Sequence, residues 1–221
     1  HTFRDLPDDT RRVMDKIYVE YFYHRHTEFW KNQALKKLPA LVSATNMLVC
    51  GEDLGMVPDS VPDVMNKLEI LSLEIQRMPK KPNTEFAMPA DAPYLSVCTT
   101  STHDMNPIRA WWEEDPALTQ RFYNRALKIQ GPAPEKCDAL IAEKIIDQHL
   151  HSSAMLVILP WQDWMAMDNK LCLKNPNAER INIPSNPRNF WCYRMHLTLE
   201  KLLSEKKFNS KIKKMIADSG R

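Results

Sequence analysis

Apolar residues recur every three or four positions through residues 8–40, and that spacing predicts a helix. Val13, Ile17, Tyr21 and Phe22, then Phe29, Trp30, Leu35 and Leu38, form one stripe, which reads as core packing. Asp8 or Asp9 is placed to cap the start, Lys36 and Lys37 suit the end, and Pro39 is expected to limit continuation. The period then changes. Residues 47–50, 71–75, 94–98 and 155–159 are short apolar or alternating runs that predict strands. Helices are predicted from Pro58 to about Lys67, over 106–114 and 116–129, and over 134–149, where Leu140, Ile141, Ile145 and Ile146 are apolar. Residues 78–93 hold Pro79, Pro82, Pro89 and Pro93 and must be loop, as must the Asn- and Pro-rich stretch 174–190. A last amphipathic helix is expected over 196–217, its lysines forming a solvated face. The first three strands begin roughly 24 residues apart with helices or loops between them, the alternation of βα units and a parallel sheet.

That pattern has a chemical end. In a parallel β/α protein, functional groups gather at the carboxyl ends of the strands. The strand assignments put Glu52 and Asp53, Glu74, His103 and Asp104, and Gln162 and Asp163 on one rim. The chain has only 4 glycines, and Gly51 and Gly55 bracket the first acid pair. Glycine serves where the backbone takes positive φ or something must approach it closely. Two carboxyls on one rim suit cleavage of a glycosidic bond, one protonating the leaving oxygen and the other attacking carbon or activating water. Aromatic faces stack on sugar rings, and Trp111, Trp112, Trp161, Trp164 and Trp191 follow the rim positions. The competing readings are plain: an acid after a strand also serves as a helix cap or a solvated charge, and a tryptophan as core. A carboxylate metal site is the weaker reading, because the acids are scattered singly.

Composition narrows the partners. A formal net charge of +2 on 221 residues gives no strong field, so neither nucleic acid nor an anionic membrane surface is expected as a partner. No apolar run approaches the ~20 residues of a membrane span. Five widely spaced cysteines without a CxxC fit a reducing compartment, and a cytoplasmic location is expected. His24 and His26, and His149 and His151, lack metal-spaced third ligands, so no metal and no cofactor is expected. The start at His1 is polar and lacks an initiator methionine, which reads as a fragment or processed form.

Four motifs in order carry a resemblance. They are Gly-Glu-Asp-Leu-Gly-Met-Val-Pro at 51–58, Thr-His-Asp at 102–104 with Trp111 and Trp112 downstream, Gln162-Asp163, and Arg-Ile-Asn-Ile-Pro at 180–184 followed by Trp191 and Arg194. Together they resemble the motifs of the 4-alpha-glucanotransferase family (amylomaltase, or disproportionating enzyme), a branch of the alpha-amylase clan. The Ser-Asn-Pro-Arg run at 185–188 is similar to the longer branch that includes plant cytosolic and some bacterial enzymes. The resemblance implies an (α/β)8 barrel and retaining double displacement on an alpha-1,4-glucan or maltooligosaccharide. By motif position it makes Glu52 the general acid/base and Asp104 the transition-state-stabilising acid. It implies substrate contacts at Asp53, His103, Trp112, Gln162, Asp163, Asn182 and Trp191.

The family's nucleophile is an aspartate on a strand upstream of these motifs, and nothing in residues 1–46 resembles it. The four strands would then be the fifth to eighth of a barrel, and residues 1–221 the carboxyl-terminal half of one catalytic domain, α/β and helix-rich. Its expected partner is the remaining amino-terminal half, in the same polypeptide or a separate chain. Two alternatives stand beside glucan transfer: a non-catalytic carbohydrate-binding fragment, and an alpha-glucan hydrolase of the same clan.

Overall fold

The computed structural model describes residues 2–55 and 57–221, and these form a three-stranded sheet. Its strands are β1 (Ser72–Ile75), β2 (Ser96–Thr99) and β3 (Leu156–Val157), in the spatial order β1-β2-β3. Strands β2 and β3 run parallel, with Val97 opposite Leu156 and Cys98 opposite Val157. All four residues of β2 are buried, as expected of a strand covered on both faces. Of the run predicted at 47–50, one parallel bridge remains, Cys50 to Leu71, in which the Leu71 N–H donates to Val49 O at 3.0 Å and the Gly51 N–H to Leu71 O at 2.8 Å. Met47 and Leu48 are 76% and 53% exposed, so no burial pays for extending the pairing there.

The chain divides into two units, His1–Ser72 and Leu73–Arg221. In the first, α1 (Asp8–Val19) runs through a π-helical segment (Glu20–Arg25) into α2 (His26–Ser43), and α3 (Val61–Lys67) follows the acidic loop. Pro39 lies inside α2 and does not end it. An interior proline costs ~3 kcal/mol. Leu38 and Val42 on either side of it pack, with Trp30 and Val49, against Val61, Met65 and Ile70, and this burial holds the last turn in place. The stripe on α1 is not core in this chain: Val13, Ile17, Tyr21, Phe22 and Phe29 are 46–65% exposed.

The second unit carries the larger core. Helices α4 (Ile108–Trp112), α5 (Pro116–Arg125), α6 (Ala139–Leu150) and α7 (Trp161–Met165) contribute Ile108, Trp112, Phe122, Ile145, Ile146 and Met165 to it. Helix α6 starts where Asp138 accepts the N–H groups of Leu140 and Ile141, and α5 where Asp115 accepts those of Ala117 and Leu118. Along α6 the buried positions are Ile141, Ala142, Ile145, Ile146, His149 and Leu150, while Leu140 faces out at 75% exposure. The predicted last helix is two, α8 (Leu199–Ser204) and α9 (Lys206–Asp218), because Glu205 leaves the helical region at φ −77°, ψ 66°. Phe208 and Met215 turn α9 onto the core.

His149 is the titratable member of this interior. It is 1% exposed, its Nδ1 lies 2.7 Å from the Ile145 carbonyl, and burial pushes its pKa down from 6.5 to about 4. The folded state therefore refuses a proton that the unfolded chain takes up below about pH 6.5. Stability from this group is fully present above pH 6.5 and is lost as pH falls toward about 4, by on the order of 3 kcal/mol. Urea unfolding midpoints measured from pH 7 to 4 on the full-length protein should fall less steeply in His149→Leu than in wild type. Parallel curves would show that His149 is not the group responsible.

Candidate active site

The acidic loop after Cys50 is shaped by its glycines. A Cβ at Gly51 would stand 2.8 Å from Met65 Cε and 3.3 Å from Ile70 Cγ2, so a larger residue here requires the Met65 side chain to move aside. Gly55 has φ +89°, a conformation side chains resist. Between them the two carboxylates part company. Asp53 is turned inward at 6% exposure, while Glu52 is exposed, with Oε1 accepting the Leu54 N–H at 3.1 Å. Met56, inside the same motif, lies outside the described residues.

In the second unit, β2 ends at Thr99 and the chain runs on through residues 100–106. This loop presents His103 and Asp104, whose side chains are 54% and 49% exposed, with His103 Nε2 3.4 Å from Asp104 Oδ2. Asn182 reaches Asp104 from the loop after Glu179: its Nδ2 donates to Asp104 Oδ1 at 2.5 Å, and its backbone N–H donates to His103 O at 3.1 Å. Asn189 Nδ2 donates to Asn182 Oδ1 at 2.8 Å, which fixes which end of that amide faces the carboxylate. Trp191 completes the group, 61% exposed with its ring centroid 4.9 Å from that of His103. A cavity of about 50 Å³ opens beside them, lined in part by Ser101, His103, Met105, Gln162 and Ile181.

Of the residues expected at the rim, Trp112 and Asp163 are the most deeply buried. Trp112 is 1% exposed and packs edge-on to Phe122, its indole N–H donating to the Pro134 carbonyl at 2.8 Å. Of two adjacent tryptophans on a helix only one can face a given side, and here Trp112 takes the core. Asp163 is fully buried, and both its oxygens are engaged: Oδ2 accepts Thr100 Oγ1 at 2.5 Å and Ser101 Oγ at 2.6 Å, and Oδ1 accepts the Ile108 N–H at 2.8 Å. Both side chains, expected to touch substrate, are interior in this chain. Gln162 is 4% exposed and donates to Glu179 O at 3.1 Å, anchoring the loop that leads to Asn182 while lining the cavity.

Glu179 and Arg109 were not legible as site residues. Glu179 is fully buried, accepts the Leu173 N–H at 2.8 Å and meets Arg109 Nη1 at 3.3 Å. Burial raises its pKa, and the Leu173 N–H and Arg109 oppose that rise. Neither a lone Glu in the 174–190 stretch nor an Arg in a five-residue helix leaves a periodic signature, so only that stretch's content of Asn and Pro pointed here. Among the described residues, no group of three or more His, Cys, Asp and Glu is arranged to hold a metal ion.

The family model described as 4-alpha-glucanotransferase matches residues 4–199. The chain belongs to the 4-alpha-glucanotransferase family. It is 39% identical over 220 residues to the 4-alpha-glucanotransferase DPE2 of Oryza sativa subsp. japonica, covering 100% of this chain and 23% of the rice protein. It is 30% identical over 187 residues to the 4-alpha-glucanotransferase of Chlamydia pneumoniae, covering 83% of this chain and 35% of that protein. The chain thus spans about a quarter to a third of the curated relatives it matches. Its fold is similar to that of the Streptococcus agalactiae amylomaltase solved with acarbose, at TM-score 0.63 and 16% identity, over 85% of this chain and 35% of that one. Mixed α/β architecture with a small parallel sheet is what the two share at this identity.

Within this family member, Asp163 is the buried anchor whose loss is easiest to read. Asp163→Ala leaves two hydroxyls and one N–H without their acceptor. Unmade bonds to a buried charge are costly, and a loss of about 3 kcal/mol is expected, with a smaller loss for Asp163→Asn, which keeps one accepting oxygen. Urea unfolding of the full-length protein measures both, and an Asp163→Ala midpoint equal to wild type contradicts the assignment.

Proposed function

We propose that this chain is the carboxyl-terminal half of a (β/α)8 glucanotransferase barrel, whose whole enzyme moves alpha-1,4-glucan segments between maltooligosaccharides by retaining double displacement. Family membership over residues 4–199 supports the reaction class. The observation that carries the site is the cluster at the end of β2, where Asp104 is held by Asn182 with His103 and the exposed Trp191 beside it. A carboxylate oriented by a fixed amide, next to an imidazole and an open indole face, matches what a pyranose ring requires: charge near its anomeric carbon, hydrogen bonds to its hydroxyls and an apolar surface.

In this reading Glu52 first acts as acid, giving its proton to the glycosidic oxygen as the bond to carbon breaks. An aspartate outside residues 1–221 attacks that carbon and holds the glycosyl group. Glu52, now a carboxylate, takes the proton from the acceptor's hydroxyl as that oxygen displaces the aspartate. Asp104 stabilises the positive charge that develops on the ring in both steps. His103, Asn182 and Trp191 contact the sugar, Gln162 and Asp53 shape the walls, and Asp163 and Trp112 support from within. The amino-terminal half supplies the nucleophile and covers the exposed stripe of α1 and α2. Five free cysteines fit a reducing compartment such as the cytoplasm, and no helix among the described residues is long and apolar enough to cross a membrane.

The test is Glu52→Gln in the full-length protein, assayed for disproportionation of maltotriose. Positioned acid–base catalysis is worth ~10²–10⁴-fold, and kcat should fall by at least that much because one group serves both steps. Turnover at the wild-type rate removes Glu52 from the mechanism.

A further inference from the structure

Arg77 lies two residues past the end of β1, at the same end of the sheet as the Asp104 loop, and no motif marks it. Its guanidinium is turned under that loop. Nε and Nη2 both donate to the Thr100 carbonyl, at 3.3 and 2.9 Å, and Nη2 also donates to the Asn106 carbonyl at 2.9 Å. Cζ sits 4.8 Å from the centroid of the Trp111 ring, and Nη1 is out of contact with solvent. Thr100 and Asn106 are the two ends of the loop that carries His103 and Asp104. Within the loop, the Met105 N–H donates to Thr102 O at 3.1 Å and the Asp104 N–H to Thr102 Oγ1 at 3.3 Å, so it is a short closed turn standing on those ends.

We propose that Arg77 is a positioning residue for the reaction: by binding the carbonyls at both ends of the 100–106 loop, it sets where the Asp104 carboxylate stands against the sugar. The inference rests on the reading of Asp104 given above. A planar guanidinium can serve two carbonyls at once while its face stacks on an indole; an ammonium is a point donor and can do neither together. Asp163 grips the same loop from its side chains, at Thr100 and Ser101, and its field favours the cationic Arg77 against the burial that lowers its pKa to about 10. Arg77 is therefore cationic at neutral pH, and one buried cation and one buried anion share the loop's footing. Trp111, whose neighbour Trp112 goes to the core, gains its use here as the plate beneath the guanidinium.

A group that only stabilises the fold and a group that aims Asp104 differ in a measurable way. Arg77→Lys, Asp104→Asn and the double variant are made in the full-length enzyme. Each is assayed with maltotriose, at enzyme concentrations high enough to register the Asp104→Asn rate. Misplacing a reacting group by about 1 Å costs on the order of 10²-fold, so Arg77→Lys should lower kcat by about that factor while KM moves only a few-fold. Once the Asp104 charge is gone its placement no longer matters, and the double variant should be about as fast as Asp104→Asn alone. Losses that multiply in the double variant, or Arg77→Lys at the wild-type kcat with Asp104→Asn impaired, overturn the inference and leave the reading of Asp104 intact. Asp104→Asn at the wild-type rate overturns that reading itself. If Arg77→Lys does not fold, Trp111→Phe keeps both carbonyl bonds and loosens the stacked face along with the edge contact of Trp111 to Phe122. A smaller fall in kcat that vanishes in the Asp104→Asn background is then expected, and the same fall persisting there counts against the proposal.

Discussion

The fully buried carboxylate of Asp163 is the contact on which the candidate site depends. It stands on α7, takes the hydroxyls of Thr100 and Ser101 where β2 ends, and takes the Ile108 N–H where α4 begins. Both ends of the segment from Thr100 to Ile108 are thereby tied to one carboxylate at least 55 residues further along the chain. Burying a charge costs several kcal/mol unless its lone pairs are satisfied, and here three donors at 2.5–2.8 Å satisfy them. That arrangement leaves little freedom in the loop that presents His103 and Asp104. Hydrogen-bonded charge in a dry interior specifies geometry more than it adds stability, and a site that must hold a carboxylate in place needs the former.

A second buried pair does the same for the opposite wall. Glu179, held by Arg109 of α4 and by the Leu173 N–H, fixes the turn from which Asn182 reaches Asp104. Gln162, next to Asp163 on α7, binds the same turn through the Glu179 carbonyl. The exposed groups of the cluster thus stand on interior ones: Asp104 and His103 on Asp163 and Arg77, Asn182 on Glu179 and Gln162. Helices α4 and α7 are only five residues each, yet they deliver these side chains and also bury Ile108, Trp112 and Met165 in the core.

Much of this was legible in the chain because the relevant signals are local. Apolar runs located the strands, and Asp104 and Asn182, singled out by motifs 78 residues apart, are in hydrogen-bond contact. The strand at 47–50 shrank to one bridge because residues 47 and 48 lack a cover in this chain. Pro39 misled because tertiary packing of Leu38 and Val42 outweighs a local penalty, and the stripe of α1 misled because periodicity reports a face without reporting what covers it. Trp112 and Asp163 were placed at the rim by their sequence distance from strand ends, yet one residue of offset on a helix separates rim from core. Arg77, Arg109 and Glu179 were missed for the opposite reason. A buried charge has meaning only through partners 23 to 70 residues away, which no window of sequence contains.

The central claim is that Asp104, held by Asn182 beside His103 and Trp191, faces a glucosyl ring. It is tested most directly by a crystal structure of the full-length Glu52→Gln protein with a maltooligosaccharide bound. The account predicts one sugar ring against the Asp104 carboxylate, with Asn182 and His103 on the same ring and the Trp191 indole face beside it. A bound sugar that leaves Asp104, Asn182 and His103 untouched would contradict it.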